Sequence, residues 1–499
     1  MNTPENNHAA PAHDAPLTVE KLPTGIKGLD EMLGGGIPKG RCTLVTGFAG
    51  TGKTVLLNEF LYRGIQHYNE NGVFVTLGET KDDIVQNVGA FNWDYPGLVS
   101  QGSLRFLDLT PKPDETIEHI DSGYDFTPMV VRIQNALGKA GASRLVIDGL
   151  DALFQRFSDK DAIRMSLFQL SARLKALGVT TMISAEKSRG KDVLSRYGIA
   201  EFVTDTILDL EMDEGEMKFT RRIYVRKMRG AGFRSGRVHY EISSRGMEVL
   251  PRIPIDLSMA RTDLSIRKKT GISALDDAME GGIPEGHVIL VSGNTGTGKS
   301  ILGLHFLEAG LKVGEKSLFV ALEEPPDQVR KAAYGFGWDF EAYEKSGRLR
   351  IITAPLIDLL PDQLLHTIFD ALKANGVKRI VVDSISTILS ESMSQEGVRR
   401  FLIQLYGLAK THGVTCMLSY LAASNFDAQQ GQLLGSLTTS DLRLSSVVDG
   451  IILFRYVERD QEVKRVINIL KMRGSNHSKS LFAYEVGAYG IQLGAPFSK

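Results

Sequence analysis

Gly293-Asn294-Thr295-Gly296-Thr297-Gly298-Lys299-Ser300 is the stretch whose reading decides the fold. It has the spacing of a phosphate-cradling loop, G-x-x-x-x-G-K-S. The run 287–291 before it reads as a buried strand, and residues 301–307 after it carry apolar side chains at helical spacing. Strand, glycine loop and helix form the context that the motif requires. Glycines let the backbone curl until its N–H groups point at phosphate oxygens. The helix N-terminus adds a partial positive charge. In that frame Gly293, Thr295, Gly296, Thr297 and Gly298 line the phosphates, Lys299 reaches the outer ones, and Ser300 holds magnesium.

The loop occurs twice. Gly47-Phe48-Ala49-Gly50-Thr51-Gly52-Lys53-Thr54 places Gly47, Gly50, Thr51, Gly52, Lys53 and Thr54 in the corresponding roles, with Lys53 and Lys299 standing 246 residues apart. Other motifs keep the same order and nearly the same offset. Thr24-Gly25-Ile26 with Leu29-Asp30 returns as Thr270-Gly271-Ile272 with Leu275-Asp276. Phe91-Asn92-Trp93-Asp94 returns as Phe336-Gly337-Trp338-Asp339, and Lys227-Met228-Arg229-Gly230 as Lys471-Met472-Arg473-Gly474. Such colinearity means two copies of one domain, each of about 240 residues, a normal α/β size. The expected organisation is a disordered polar tail over 1–16, a first domain over 17–255 and a second over 256–499. The proline-containing stretch 251–267 suits a linker.

Each copy alternates short apolar runs with helical stretches. The runs fall at 42–45, 73–77, 145–147, 179–184 and 206–210, then at 288–291, 318–322, 380–382, 414–419 and 450–454. Near-continuous apolar strands interleaved with helices imply an α/β fold with a mostly parallel sheet flanked by helices. Ligands then bind beyond the carboxyl ends of the strands, where both glycine loops lie. The chain of 499 residues is 42% hydrophobic with a net charge of −1, which argues against a dedicated nucleic-acid binder. Cys42 and Cys416 sit inside apolar runs and read as buried thiols. No run approaches a membrane span and the N-terminus has no apolar signal core, so the cytoplasm is the expected compartment.

Phosphoryl transfer from ATP needs magnesium, a carboxylate to hold it and a group that orients the nucleophile. Asp148 and Asp383 each end an apolar strand, and with Thr54 and Ser300 they form the expected magnesium set. Between loop and aspartate a further strand ends in acids: Glu323 and Glu324 in the second copy, Glu79 in the first, where Gly78 replaces the leading acid. These are the candidate catalytic residues. Lys227 with Arg229, and Lys471 with Arg473, place two cations one residue apart, able to meet phosphate together. Around the first pair Arg221, Arg222, Arg226, Arg234 and Arg237 form a basic cluster, readable as a solvated face, a nucleic-acid strip or a hand reaching a neighbouring subunit's ATP.

Taken together, both loops, both aspartate strands, the Glu-Glu step, both Lys-x-Arg-Gly strands and the segment 196–205 resemble the KaiC family of the RecA-like superfamily. The resemblance runs from about residue 22 to residue 490. It implies two tandem RecA-like P-loop ATPase domains, ATP and magnesium as cofactors, and a homohexamer of two stacked rings with nucleotide between subunits. It also implies autophosphorylation on adjacent hydroxyls before a late aspartate of the second domain. Ser445 and Ser446 match those acceptors, Ser440 matches a nearby third hydroxyl, and the first copy has Glu201 and Phe202 there instead.

The chain ends at Lys499, so the tail through which KaiA acts is expected to be missing and a KaiA-like partner is not expected. A KaiB-like or other signalling partner stays open; nucleic acid and membrane are not expected. The reading is a hexameric ATPase and serine autokinase with a signalling or clock-like role. The alternatives are a RecA-like DNA-dependent ATPase and an ATP-binding scaffold without kinase activity.

Overall fold

The computed structural model describes residues 19–110, 127–154, 160–187, 204–214, 219–260, 263–353, 361–391, 395–421, 446–459 and 462–496. The tail 1–16, residues 196–203, Ser440 and Ser445 lie outside them. The chain divides into two compact units, Met1–Arg252 and Ile253–Lys499.

The first unit is built on nine strands: β1 (Cys42–Gly47), β2 (Gly72–Thr76), β3 (Leu104–Asp108), β4 (Arg144–Asp148), β5 (Thr180–Glu186), β6 (Thr206–Glu214), β7 (Phe219–Met228), β8 (Val238–Ser243) and β9 (Gly246–Leu250). Their spatial order is β9-β8-β7-β6-β1-β5-β4-β2-β3. From β6 to β3 every pair is parallel, and from β6 to β9 every pair is antiparallel. The second unit repeats this with β10 (Val288–Gly293), β11 (Ser317–Ala321), β12 (Leu349–Thr353), β13 (Arg379–Asp383), β14 (Thr415–Leu421), β15 (Gly450–Arg459), β16 (Glu462–Met472), β17 (Phe482–Gly487) and β18 (Gly490–Pro496), ordered β12-β11-β13-β14-β10-β15-β16-β17-β18. The apolar runs of the sequence mark the five central parallel strands. The half-exposed edge strands β3 and β12 and the antiparallel extensions carry a weaker pattern, because one face of them is wet.

The continuous apolar strands serve two cores at once, since successive side chains point to opposite faces. Val73, Val75, Leu145 and Ile147 pack with Ile133 and Leu170 on one side of the first sheet. Phe74 and Val146 pack with Leu57, Phe60 and Leu61 of the helix Lys53–Tyr68 on the other. The second sheet splits the same way, Leu318, Val320, Ile380 and Val382 to one face and Phe319 and Val381 to the other. The stretch after Pro251 is more than a tether, because Ile253 belongs to the second unit's core.

Several repeated motifs are structural. Asp30 accepts from the Thr24 and Gly25 amides and the Thr24 hydroxyl at 2.7–2.9 Å, and Asp276 accepts from the amide and hydroxyl of Thr270 at 2.7 Å. Trp93 stacks between Phe91 and Tyr62, while Asp94 and Asp339 cap the short helices that follow. Each sheet also buries one arginine at the start of a central strand. Arg144 donates to Glu70 (2.6 Å), Phe60 O (3.0 Å) and Pro23 O (2.8 Å); Arg379 donates to Glu315 (2.5 Å), Phe306 O (2.7 Å) and Lys269 O (2.6 Å). Gly64 and Gly310 lie against those guanidinium groups, where any Cβ would collide.

The antiparallel extension docks on the glycine-loop helix through one buried acceptor per copy. Glu59 accepts from Met247 N–H (2.6 Å), and His305, at the same helix position, accepts at Nε2 from Ile491 N–H (2.9 Å). Burial holds the His305 imidazole down at about 4, from 6.5, and pushes the Glu59 carboxyl up. A lowered imidazole favours the neutral folded form, so its contribution is complete above pH 6.5 and is lost as the unfolded chain protonates first on the way down to about 4. Glu59 works in the opposite sense, stabilising less as pH rises through its raised value. Denaturant titration is therefore expected to show the second unit losing on the order of 3 kcal/mol between pH 6.5 and about 4. His305→Gln, which keeps an acceptor without titrating, should flatten that slope. An unchanged slope in the variant would remove His305 as the cause.

Candidate functional site

Each glycine loop leaves the carboxyl end of the central strand of its sheet and enters a helix, Lys53–Tyr68 in the first unit and Lys299–Lys312 in the second. Gly52 and Gly298 cap those helices at φ 86° and 93°, backbone that a side chain rarely adopts. Gly47 and Gly293 press against the carbonyls of Leu210 and Phe454 in the neighbouring strand, so a Cβ there would push the loop off the sheet. Thr51 and Thr297 are fully buried and donate to Phe48 O (2.8 Å) and Asn294 O (2.7 Å). Their hydroxyls hold the loop's shape and leave its backbone to face a ligand.

Lys53 spans the first loop, donating to Gly47 O (2.9 Å) and Phe48 O (3.0 Å), and Lys299 donates to Asn294 O (2.9 Å). Burial lowers both ammonium groups, and nearby acids oppose that fall. A desolvated cation held in a ring of backbone amides is suited to polyphosphate. Thr54 donates to Asp148 Oδ2 (2.9 Å), and Ser300 is hydrogen-bonded to Asp383. The other oxygen of Asp148 accepts from Ser184, and Asp383 Oδ1 accepts from Ser419, so each carboxylate is oriented from the adjacent strand. One hydroxyl beside one oriented carboxylate matches what magnesium takes from a protein when phosphates and water complete its shell. The residues fit a magnesium nucleotide.

The acids at the ends of β2 and β11 differ between copies. Glu323 accepts from Ser384 (2.5 Å) and Thr387 (3.0 Å), which aim it. Glu324 is exposed beside it, and burial, Asp383 and Glu323 raise its carboxyl. In the first copy Glu79 is exposed, its carboxyl raised by burial, Asp148 and Asp83. Gly78 has open space where a side chain would stand.

The Lys-x-Arg pairs are not brought to their own glycine loops. Met228 pairs with Thr206 at the start of β6, and Thr206 with Thr43 near the start of β1, whereas Gly47 at the end of β1 pairs with Leu210. Lys227 pairs with Ile207, which pairs with Leu44, and so lies about three residues, roughly 10 Å, down the sheet from the loop. It donates to Thr204 O (2.6 Å), and Arg229 follows just past the strand, exposed. The second copy matches: Lys471 donates to Val448 O (2.7 Å), and Arg473 reaches Asp449 (3.6 Å) and Ser446 O (3.3 Å). Ser446 is exposed at this same edge. Much of the basic cluster is paired internally, Arg222 with Asp213 (2.6 Å), Arg226 with Asp209 (3.0 Å) and Arg237 with Glu211 (3.3 Å).

Two contacts were not read from the sequence. Tyr240 of β8 donates to Thr51 O (2.5 Å), and Tyr484 of β17 donates to Thr297 O. Burial pushes both phenols well above their usual range, so they stay protonated and keep the proton they donate. Their spacing of 244 residues equals that of Lys227 and Lys471, a signal present in the repeat.

Paired glycine loops, each facing a strand-end aspartate from the central strand of a doubly covered parallel sheet, define a tandem RecA-like P-loop ATPase. A family model described as "ATPase: KaiC" matches residues 22–253 and again 268–497. The chain is 35% identical over 493 residues to the circadian clock oscillator protein KaiC of Thermosynechococcus vestitus, covering 99% of this chain and 92% of that protein. It is 36% identical to the protein of the same name from Parathermosynechococcus lividus, with 98% and 88% covered, and 34% identical to that of Synechococcus elongatus, with 99% and 91% covered. The chain belongs to the KaiC ATPase family. No helix among the described residues is long and apolar enough to cross a membrane.

Tyr484→Phe removes one buried hydrogen bond to the second loop and leaves the ring in place. Nucleotide binding to the second unit is expected to weaken about two- to tenfold with the fold intact, as titration of a fluorescent ATP analogue would register. Unchanged affinity would show that the tyrosine does not shape the loop.

Proposed function

We propose that the chain is a homohexameric ATPase and serine autokinase, with residues 17–255 forming a hydrolysing ring and residues 256–499 a kinase ring. One observation carries the reading: Lys471, Arg473 and Ser446 lie at the sheet edge opposite to their own glycine loop. A chain so built completes its nucleotide site with a neighbour's residues and offers its acceptor to a neighbour's nucleotide. A closed ring satisfies both needs with one repeated interface.

In the second ring the loop amides and Lys299 hold the triphosphate, and Lys471 and Arg473 of the adjacent subunit offset charge on it. Ser300 and Asp383 would hold magnesium, whose charge would offset that of the phosphates. Ser445 or Ser446 of the adjacent subunit attacks the γ-phosphorus. Its proton passes to Glu323, with Glu324 beside it; the bond to the bridging oxygen breaks, and ADP leaves with the electron pair. Each phosphoserine adds about −1.5 to −2 charge, enough to rearrange an edge built on the Arg473–Asp449 and Lys410–Asp449 ion pairs. In the first ring Lys53, Thr54, Asp148 and Glu79 serve ATP hydrolysis, with Lys227 and Arg229 acting across the interface. The names of the relatives support a signalling or clock role.

Mixing tests the arrangement. Lys299→Ala chains, unable to use ATP in the second ring, are combined with Ser445→Ala/Ser446→Ala chains in Mg-ATP. Phosphopeptide mapping is expected to find phosphate on Ser445 or Ser446 of the Lys299→Ala chains, and light scattering to find hexamers. Neither chain labelled in the mixture, with wild type labelled alone, would place transfer within one subunit and refute the reading.

A further inference from the structure

The two copies differ around their glycine loops in a correlated way. The second copy has Glu323 with two residues that aim it, Ser384 and Thr387. The aligned positions of the first copy are Gly78, Gly149 and Ala152, so the acid and both its holders are absent together. On the adjacent strand the exchange runs the other way. Gly47 pairs with Glu186 at the end of β5, and the equivalent Gly293 pairs with Leu421. The amide of Glu186 donates to the buried Asp151, where the amide of Leu421 donates to Ser386.

The end of β5 also carries a charged pair, Lys187 with Asp209, where the sequence of the second copy has Ala422 and Leu453. Lys187 N–H donates to Gly47 O (3.2 Å), and its ammonium pairs with Asp209 (2.5 Å), which is fully buried. Asp209 sits opposite Thr46, and the equivalent partner of Ser292 is Leu453. Around Lys53, burial lowers the ammonium, and the acids that oppose this are Glu186 first, then Asp148 and Asp151. Around Lys299 the opposing acids are Asp383 and Glu323. Glu186 thus occupies, from a neighbouring strand, the electrostatic place that Glu323 holds in the second copy.

We propose that Glu186 is the catalytic base of the first nucleotide site, standing in for the acid missing at Gly78 and positioned by Asp151 and by the Lys187–Asp209 pair. The inference rests on the reading of the first unit as a hydrolysing ring. Water oxygen attacks the γ-phosphorus, the Glu186 carboxylate accepts a water proton, and the bond to the bridging oxygen breaks with its electron pair leaving on ADP. The proton is then released to phosphate or solvent. A base on β5 serves water, whereas Glu323 on the β11 side serves a hydroxyl delivered by protein; the exchange of acids separates the two chemistries.

The test uses the full chain with Lys299→Ala, so that ADP release reports the first site. Glu186→Gln is expected to lower turnover about tenfold or more, with binding of a fluorescent ATP analogue and thermal unfolding unchanged. Gly78→Glu, which enters open space, combined with Ala152→Thr, which returns one of the acid's holders, is expected to restore part of the activity in the Glu186→Gln background. A residue that merely supports the strand would not be rescued from another strand. Turnover in Glu186→Gln within about twofold of its parent, or a loss that Gly78→Glu with Ala152→Thr cannot relieve, overturns the proposal. A Lys299→Ala parent that binds ATP at its first site and never turns it over overturns the hydrolysing-ring reading itself, and this assignment with it.

Discussion

The structure depends on the register between the glycine-loop strand and the strand that ends in aspartate, one strand apart in each sheet. Thr54 meets Asp148, and Ser300 meets Asp383, only because β4 and β13 stop two residues short of the ends of β1 and β10. The strand between supplies Ser184 or Ser419 to hold the carboxylate. A one-residue slip would turn the aspartate into an apolar face and a core side chain toward the ligand. Both faces of the sheet are packed to prevent that slip. The alternation of Leu145, Val146 and Ile147 between two cores binds the register to the whole hydrophobic interior.

The antiparallel extension gives the loop a second support. Tyr240 and Tyr484 grip the loop from β8 and β17, while Glu59 and His305 dock the following hairpin on the loop's own helix. The extension also carries the Lys-x-Arg pair to the far edge of the sheet. One element therefore steadies a chain's own nucleotide loop and presents cations away from it. That polarity suits an assembly in which each site is shared.

Duplication preserved the frame and let the chemistry diverge. Asp30 and Asp276, Arg144 and Arg379, Gly64 and Gly310 perform the same packing tasks in both copies. Where the copies part, they part in groups: Glu323, Ser384 and Thr387 against Gly78, Gly149 and Ala152, and Glu186 with Asp151 against Leu421 with Ser386. Grouped change is what a hydrogen-bonded acid requires, because an acid that loses its holders loses its aim.

By itself the sequence determined the doubled α/β frame, both glycine loops and both strand-end aspartates. Those features are local: a glycine spacing, an apolar run, one acid at its end. The repeat also separated motifs by order and offset without any need of coordinates. Only the tertiary structure decided which distant residues meet. Tyr240 and Tyr484 are ordinary members of half-polar strands until the hairpin folds back on the loop. Glu186 ends an apolar run like any other until parallel pairing sets it beside Gly47. The basic cluster around Arg226 looked free to meet a partner, yet Asp209 and Glu211 pair with it through strand neighbours. Pairing between strands is set by register across the whole sheet, and no local window of sequence contains it.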